Sequence, residues 1–328
     1  MSSTKSDAEQ INDEFLPLFP DLPKVNGVRP RKYKRIDQLI WSDHKARFIQ
    51  HYLRYFVQIT KHGAYIDGFA GPQYLDKPDA WTASLVLASE PKWLRHFYLC
   101  ELAQDSVNCL RDLVASQPVP MSKSGRKLPR KIEVVPGDFN QTIESILASG
   151  RITQKEATFC LLDQRTFECH WQTLVTLSGY KQPPHNKIEL LYFLGVGWLH
   201  RAFSGLRNDE TPLKWWGRPD WRDLLGMNCW SIAETVRRRF TDELGYKFAA
   251  AYPIFDREEG NKIMYYMIHA SDHEDAPALM VRAHSKAVRS LPAETQMTLL
   301  DISKLSSPDS GESFARADGI DCREKSED

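Results

Sequence analysis

The chain has 328 residues, enough for one large α/β domain or two smaller ones. Its 43 lysines and arginines balance 43 aspartates and glutamates, which excludes a uniformly basic nucleic-acid coat and leaves only local basic patches. No apolar run approaches the ~20 residues that a membrane-spanning helix needs. The six cysteines include no C-x-x-C pair and suit neither a zinc site nor a disulfide framework, so reduced thiols in a cytoplasmic compartment are expected.

Residues 1–30 are proline-punctuated and weakly periodic, and read as a flexible leader. From there the pattern alternates. A helix is expected over Asp43–Ile59, then a strand at Ala64–Asp67 that breaks into small residues. A helix near Ala80–Ser89 leads to a strand at His96–Glu101, and a helix at Gln104–Ser116 leads to a strand at Ile132–Pro136. The basic, Pro/Gly-rich stretch 118–131 between them reads as an exposed loop. A helix at Asn140–Ala148, a strand at Thr158–Asp163, a helix near Trp171–Leu177 and an apolar strand at Ile188–Leu194 follow. Such repetition predicts a mostly parallel sheet with helices on both faces. A helical, Trp/Arg-rich insertion is expected at about 198–230, then a helix at Ser231–Leu244. Tyr246–Phe255 and Lys262–Ala270 read as an antiparallel edge pair, with a helix at Ala276–Arg289 closing the domain. The predicted organisation is thus an α/β domain over 31–300, of Rossmann-like methyltransferase fold, with a disordered tail at 301–328.

Open α/β sheets bind ligands at the carboxyl ends of their strands, and four strands here end in polar candidates. The first runs into Asp67-Gly68-Phe69-Ala70-Gly71, where Gly68 and Gly71 let the backbone pass close to a ligand and Asp67 supplies an acceptor. The second ends in Glu101, placed to bridge ribose hydroxyls. The third runs into Gly137-Asp138-Phe139-Asn140, with Asp138 facing an adenine amine and Phe139 beside the ring. The fourth ends in Asp163, Gln164 and Arg165. G-x-G-x-x-G and G-x-x-x-x-G-K-[ST] are both absent, so a cofactor without phosphates, S-adenosyl-L-methionine, fits better than a dinucleotide. His44 and Lys45, at the start of the preceding helix, are within reach of its carboxylate, although Lys45 reads equally as a surface charge.

Asp163, Gln164, Arg165 and Glu168 are the candidate catalytic residues, with Arg165 a possible anion clamp and Glu168 or His170 a possible general base. Glu168 and His170 read equally well as the solvent-facing start of the next helix, and Cys169 reads as a small buried thiol. No compact metal-ligand cluster is present. Trp198, Arg201, Lys214, Trp215, Trp216 and Arg218 interleave rings with cations, as a nucleic-acid surface does, but the same pattern describes a helical lid with core tryptophans.

The Tyr65-Ile66-Asp67-Gly68-Phe69-Ala70-Gly71-Pro72 turn, Trp41-Ser42-Asp43-His44-Lys45, Gly137-Asp138-Phe139-Asn140 and Met264-Tyr265-Tyr266-Met267-Ile268 together resemble the three-Cys-motif partner (TcmP) family over roughly residues 35–290. The resemblance implies a Rossmann-like, S-adenosylmethionine-dependent methyltransferase fold and association with a three-Cys-motif, radical-SAM-like iron–sulfur protein. Where many relatives follow the fourth-strand Asp with Pro-Phe-Gly, this chain has Gln164-Arg165-Thr166. The D/N-P-P-[YFW] motif of amino-methylating nucleic-acid enzymes is missing too. The expected activity is therefore methyl transfer to a nucleic acid or a partner-delivered substrate, with a non-catalytic binding module as the alternative.

Overall fold

A computed structural model describes residues 40–72, 81–122, 124–206, 208–255 and 263–288; the side chains of 40–44, 198, 200, 255 and 288 lie outside that description. The expected leader (1–30) and tail (301–328) fall outside the described residues.

Nine α-helices and seven strands are present among the described residues. In chain order they are α1 (Ile40–Thr60), β1 (Ala64–Asp67), α2 (Thr82–Ala88), β2 (His96–Glu101), α3 (Gln104–Ala115), β3 (Lys131–Pro136), α4 (Phe139–Ala148), β4 (Thr158–Leu162), α5 (Trp171–Gly179) and β5 (Glu189–Leu194). The helices α6 (Val196–Gly205), α7 (Glu210–Trp216), a 3-10 helix (Pro219–Gly226) and α8 (Cys229–Asp242) lie between β5 and β6 (Phe248–Phe255); β7 (Ile263–Ser271) and α9 (Ala276–Val288) complete the fold.

The strands form one sheet in the order β3-β2-β1-β4-β5-β7-β6. β1 to β5 are parallel, and β7 runs antiparallel to both β5 and β6. This is the mostly parallel sheet with an antiparallel edge pair that the sequence pattern predicts.

Strand periodicity explains the two cores. Ile66, Cys100, Cys160, Leu162 and Tyr192 point to one face and pack with α4, α5 and the helices after β5. Tyr65, Phe97, Leu99, Phe159, Leu161 and Phe193 point to the other and pack with α1, α2 and α9. Both faces are covered, so β1 and β4 read as unbroken apolar runs rather than alternating ones.

The order places β2 and β3 on one side of β1 and β4 on the other. The reversal of strand order at β1/β4 is where such sheets open a crevice beyond their carboxyl ends.

Candidate functional site at the strand tips

Asp67 ends β1 inside the protein, 1 % exposed. Its Oδ2 accepts from the Tyr65 hydroxyl at 3.0 Å and its Oδ1 from the Phe69 amide at 3.2 Å. Burial raises its carboxyl pKa to about 7, and the nearby Asp163 charge adds to the shift.

The turn after Asp67 is tied to its own sheet. Gly68 N–H donates to Leu161 O (2.9 Å), Ala70 N–H to Cys100 O (2.8 Å) and Gly71 N–H to Glu101 Oε2 (2.9 Å). The glycines also answer a packing need within the protein itself. A Cβ at Gly68 would stand 2.9 Å from the Phe139 ring, and one at Gly71 would stand 2.1 Å from Glu101 Oε2. The close neighbours are the protein's own ring and carboxylate. Phe69 is partly buried and meets the Phe139 ring edge-on, with centroids 6.0 Å apart.

Glu101 ends β2 with its carboxylate oriented by two amides: Gly71 N–H to Oε2 and Ala103 N–H to Oε1, the latter at 2.8 Å. An ionised carboxylate has about four acceptor sites, so two remain. Leu102, the next residue, is 72 % exposed at the same strand tip. Sequence reasoning passed over it, since a leucine after an acid carries no chemical signal until its exposure is known.

Asp138 caps α4. Its Oδ1 accepts from the backbone and side-chain nitrogens of Asn140 (2.9 and 2.8 Å), and its Oδ2 accepts from no described residue. Phe139 does not stand open beside a ligand ring; it is 2 % exposed and belongs to the core under Gly68.

Asp163 lies just past β4, which stops at Leu162, one residue short of the predicted end. It is paired with Lys45 of α1: Nζ sits 2.9 Å from Oδ1 and 2.7 Å from Oδ2. The same ammonium lies 5.5 Å from the Phe193 ring centroid and 6.0 Å from that of Tyr265. Lys45 is thus neither a surface charge nor an uncommitted carboxylate binder. His44 precedes it in α1, with its side chain outside the described residues.

The segment after Asp163 is held from several directions. Gln164 is buried: its Nε2 donates to Phe193 O (3.1 Å) and its Oε1 accepts from Cys169 N–H (2.9 Å). Its amide is a brace between β4 and β5, not a group facing an acceptor. Phe167 stacks on Phe203 (4.9 Å between centroids) and meets Trp215 edge-on. Arg165 and Glu168 are exposed, and Glu168 Oε2 accepts from the Thr166 amide at 2.6 Å. Cys169 is fully buried, and burial pushes its thiol pKa far up, which removes it as a nucleophile. Asn140 joins this segment to α4. Its Nδ2 donates to Glu168 O (2.7 Å), and its Oδ1 accepts from His170 N–H (2.8 Å) and Thr173 Oγ1 (2.7 Å).

The Trp/Arg-rich region is not an open stacking surface. Trp215, Trp216 and Trp221 are buried, and Trp215 donates to the Tyr192 hydroxyl at 2.6 Å. Lys214 pairs with Glu210 and Arg218 with Glu243. Arg239 of α8 lies between the Trp171 and Trp216 rings, 3.6 and 4.1 Å from their centroids, and binds Glu243. The rings are committed to the core by apolar burial and cation–π contact, which is the helical lid with core tryptophans rather than a base-stacking surface. Arg201 is exposed, and the side chain of Trp198 lies outside the described residues.

No protein-family model matches the sequence, and no curated protein matches it. Among solved structures, the protein LPL1258 from Legionella pneumophila is similar at 10% identity, covering 76% of this chain and 91% of that one, with TM-score 0.44. Trm1 from Pyrococcus horikoshii, in complex with S-adenosyl-L-methionine, is similar at 12% identity and TM-score 0.41; the match covers 80% of this chain and 61% of Trm1. A spermidine synthase in complex with the transition-state analogue AdoDATO gives 11% identity, 82% and 71% coverage, and TM-score 0.36. All three scores lie below 0.5, so the fold assignment rests on the sheet order itself.

Among the described residues, no helix is long and apolar enough to cross a membrane, and no group of His, Cys, Asp and Glu could hold a metal ion.

Proposed function

We propose that this protein binds S-adenosylmethionine across the tips of β1, β2 and β3 and directs its methyl group towards the end of β4. The observation that carries the reading is Glu101: two backbone amides fix its carboxylate and leave two acceptor sites, enough for a pair of ribose hydroxyls. Leu102 offers an exposed apolar face for the adenine, and Asp138 Oδ2 is open to the exocyclic amine. Lys45 has spent two of its three ammonium hydrogens on Asp163, so one is left for the methionine carboxylate. The cofactor, when bound, supplies an electrophilic methyl group. The chain's own residues orient it, so the acceleration comes mainly from proximity.

A specific observation favours the alternative of a binding module. Beyond Asp163, Gln164, Phe167 and Cys169 are locked into packing and hydrogen bonds, and Asp163 itself is neutralised by Lys45. Arg165 and Glu168 are the exposed polar side chains of that segment with chemistry to offer an acceptor. The TcmP resemblance suggests that the acceptor is presented by a three-Cys-motif iron–sulfur partner, and a nucleic acid remains a candidate acceptor. Transfer of tritiated methyl from S-adenosylmethionine into RNA, DNA or protein, with and without that partner, separates the two readings. Label in any fraction that is lost in Glu101→Ala supports the enzyme. Cofactor binding without label supports the module.

A further inference from the structure

A cavity of about 310 Å³ lies at the opposite end of the parallel strands from the strand-tip site, around the first residues of β4 and β5, the last of β7, the end of α1 and the start of α9. Two buried charges line it. Lys181 is 4 % exposed, and its ammonium donates to Glu156 O and to Thr158 Oγ1 (3.0 Å). No described carboxylate pairs with it, and the Glu156 carboxylate is engaged by His62 at 3.1 Å. Glu189 is 6 % exposed; its Oε1 accepts from the Tyr52 hydroxyl and faces His269 Nε2 at 2.8 Å, and its Oε2 accepts from Ser271 at 3.1 Å. Each charge retains one unused position: a third ammonium hydrogen on Lys181 and one acceptor site on Glu189. Phe56, Ile59 and Leu279 line an apolar side of the same space.

The Glu156 charge favours the Lys181 ammonium but does not offset its burial, so a further counter-charge would stabilise it. A lone anion on Lys181 would leave the free acceptor site of Glu189 unused. A ligand carrying both charges satisfies both. We infer that this cavity binds a small zwitterion of the α-amino-acid class, with its carboxylate on Lys181, its ammonium on Glu189 and an aliphatic side chain against Phe56, Ile59 and Leu279. Burial lowers the Lys181 amine to about 8, which accords with a site awaiting an anionic partner.

Calorimetric titration of the full chain with leucine tests this, with 4-methylpentanoate and isoamylamine as half-ligands. Leucine binds, and each half-ligand binds at least tenfold more weakly. Lys181→Met weakens leucine at least tenfold, and Leu279→Trp, which fills the apolar side, does the same should Lys181→Met fail to fold. Glu101→Gln leaves leucine binding unchanged, which keeps this site separate from the strand-tip site. The inference is overturned by no leucine binding to the wild type, by a half-ligand that equals leucine, or by full binding in a folded Lys181→Met or Leu279→Trp variant.

Discussion

Lys45 and Asp163, 118 positions apart in the chain, meet through both carboxylate oxygens at the point where strand order reverses. Their side chains are only 10% and 14% exposed, so the pair works in a poorly hydrated setting. Removing one partner strands the other charge. Asp163→Leu and Lys45→Met are each expected to cost about 3 kcal/mol in urea unfolding. The double variant, which strands neither charge, is expected to recover most of that loss.

Asp67 makes stability depend on pH. Its folded carboxyl holds a proton up to about pH 7, whereas an unfolded aspartate releases it near 4. Between those values the folded chain binds more protons, so stability is fully present below about pH 4 and is lost as pH rises towards 7. The loss is roughly 2–4 kcal/mol. Urea midpoints measured from pH 4 to 8 should show this slope in the wild type and a flatter one in Asp67→Asn.

The two glycines of the turn should fail in different ways. Gly68→Ala presses a methyl onto the buried Phe139 ring, 2.9 Å from the new Cβ, and is expected to lower stability by ~1–3 kcal/mol. Gly71→Ala meets chiefly the far end of the Glu101 side chain, which can swing aside, with Ser106 Cβ next at 3.0 Å. It should cost less stability and lower cofactor affinity more. Thermal unfolding and cofactor titration of both variants check the contrast.

Asn140 makes three bonds to the segment from Glu168 to Thr173. Asn140→Ala leaves the His170 amide and the Glu168 carbonyl without that partner, at a cost of ~1–3 kcal/mol. Hydrogen exchange of the 164–173 amides should accelerate by more than that of the β1 and β2 amides, since the loss is local.

Much of the architecture was legible because buried strands announce themselves. Ala64–Asp67 and His96–Glu101 were predicted with the bounds observed, as apolar runs that end at an acid. The late strand pair was legible from the polar interval 256–261, which lies outside the described residues. The site was less legible, because sequence gives residue types but not their partners. Nothing in Lys45 or Asp163 alone forecasts a contact across 118 positions. Nor does a Gly-rich turn reveal whether its amides face a ligand or, as here, a carbonyl and a carboxylate of the next strand. The tryptophans left two readings open for a related reason. Rings interleaved with cations describe a base-stacking surface and a buried Trp–Arg–Trp sandwich equally well, and Arg239 between Trp171 and Trp216 is the second.

The central claim is tested most directly by calorimetric titration of S-adenosylmethionine and S-adenosylhomocysteine into the wild type, Glu101→Gln and Leu102→Ala. Leu102 is exposed, so its truncation should change stability by no more than ~0.5 kcal/mol. The account predicts wild-type binding with one site, at least tenfold weaker in Glu101→Gln and severalfold weaker in Leu102→Ala. A folded wild-type protein that binds neither compound, or binding indifferent to both substitutions, would contradict it.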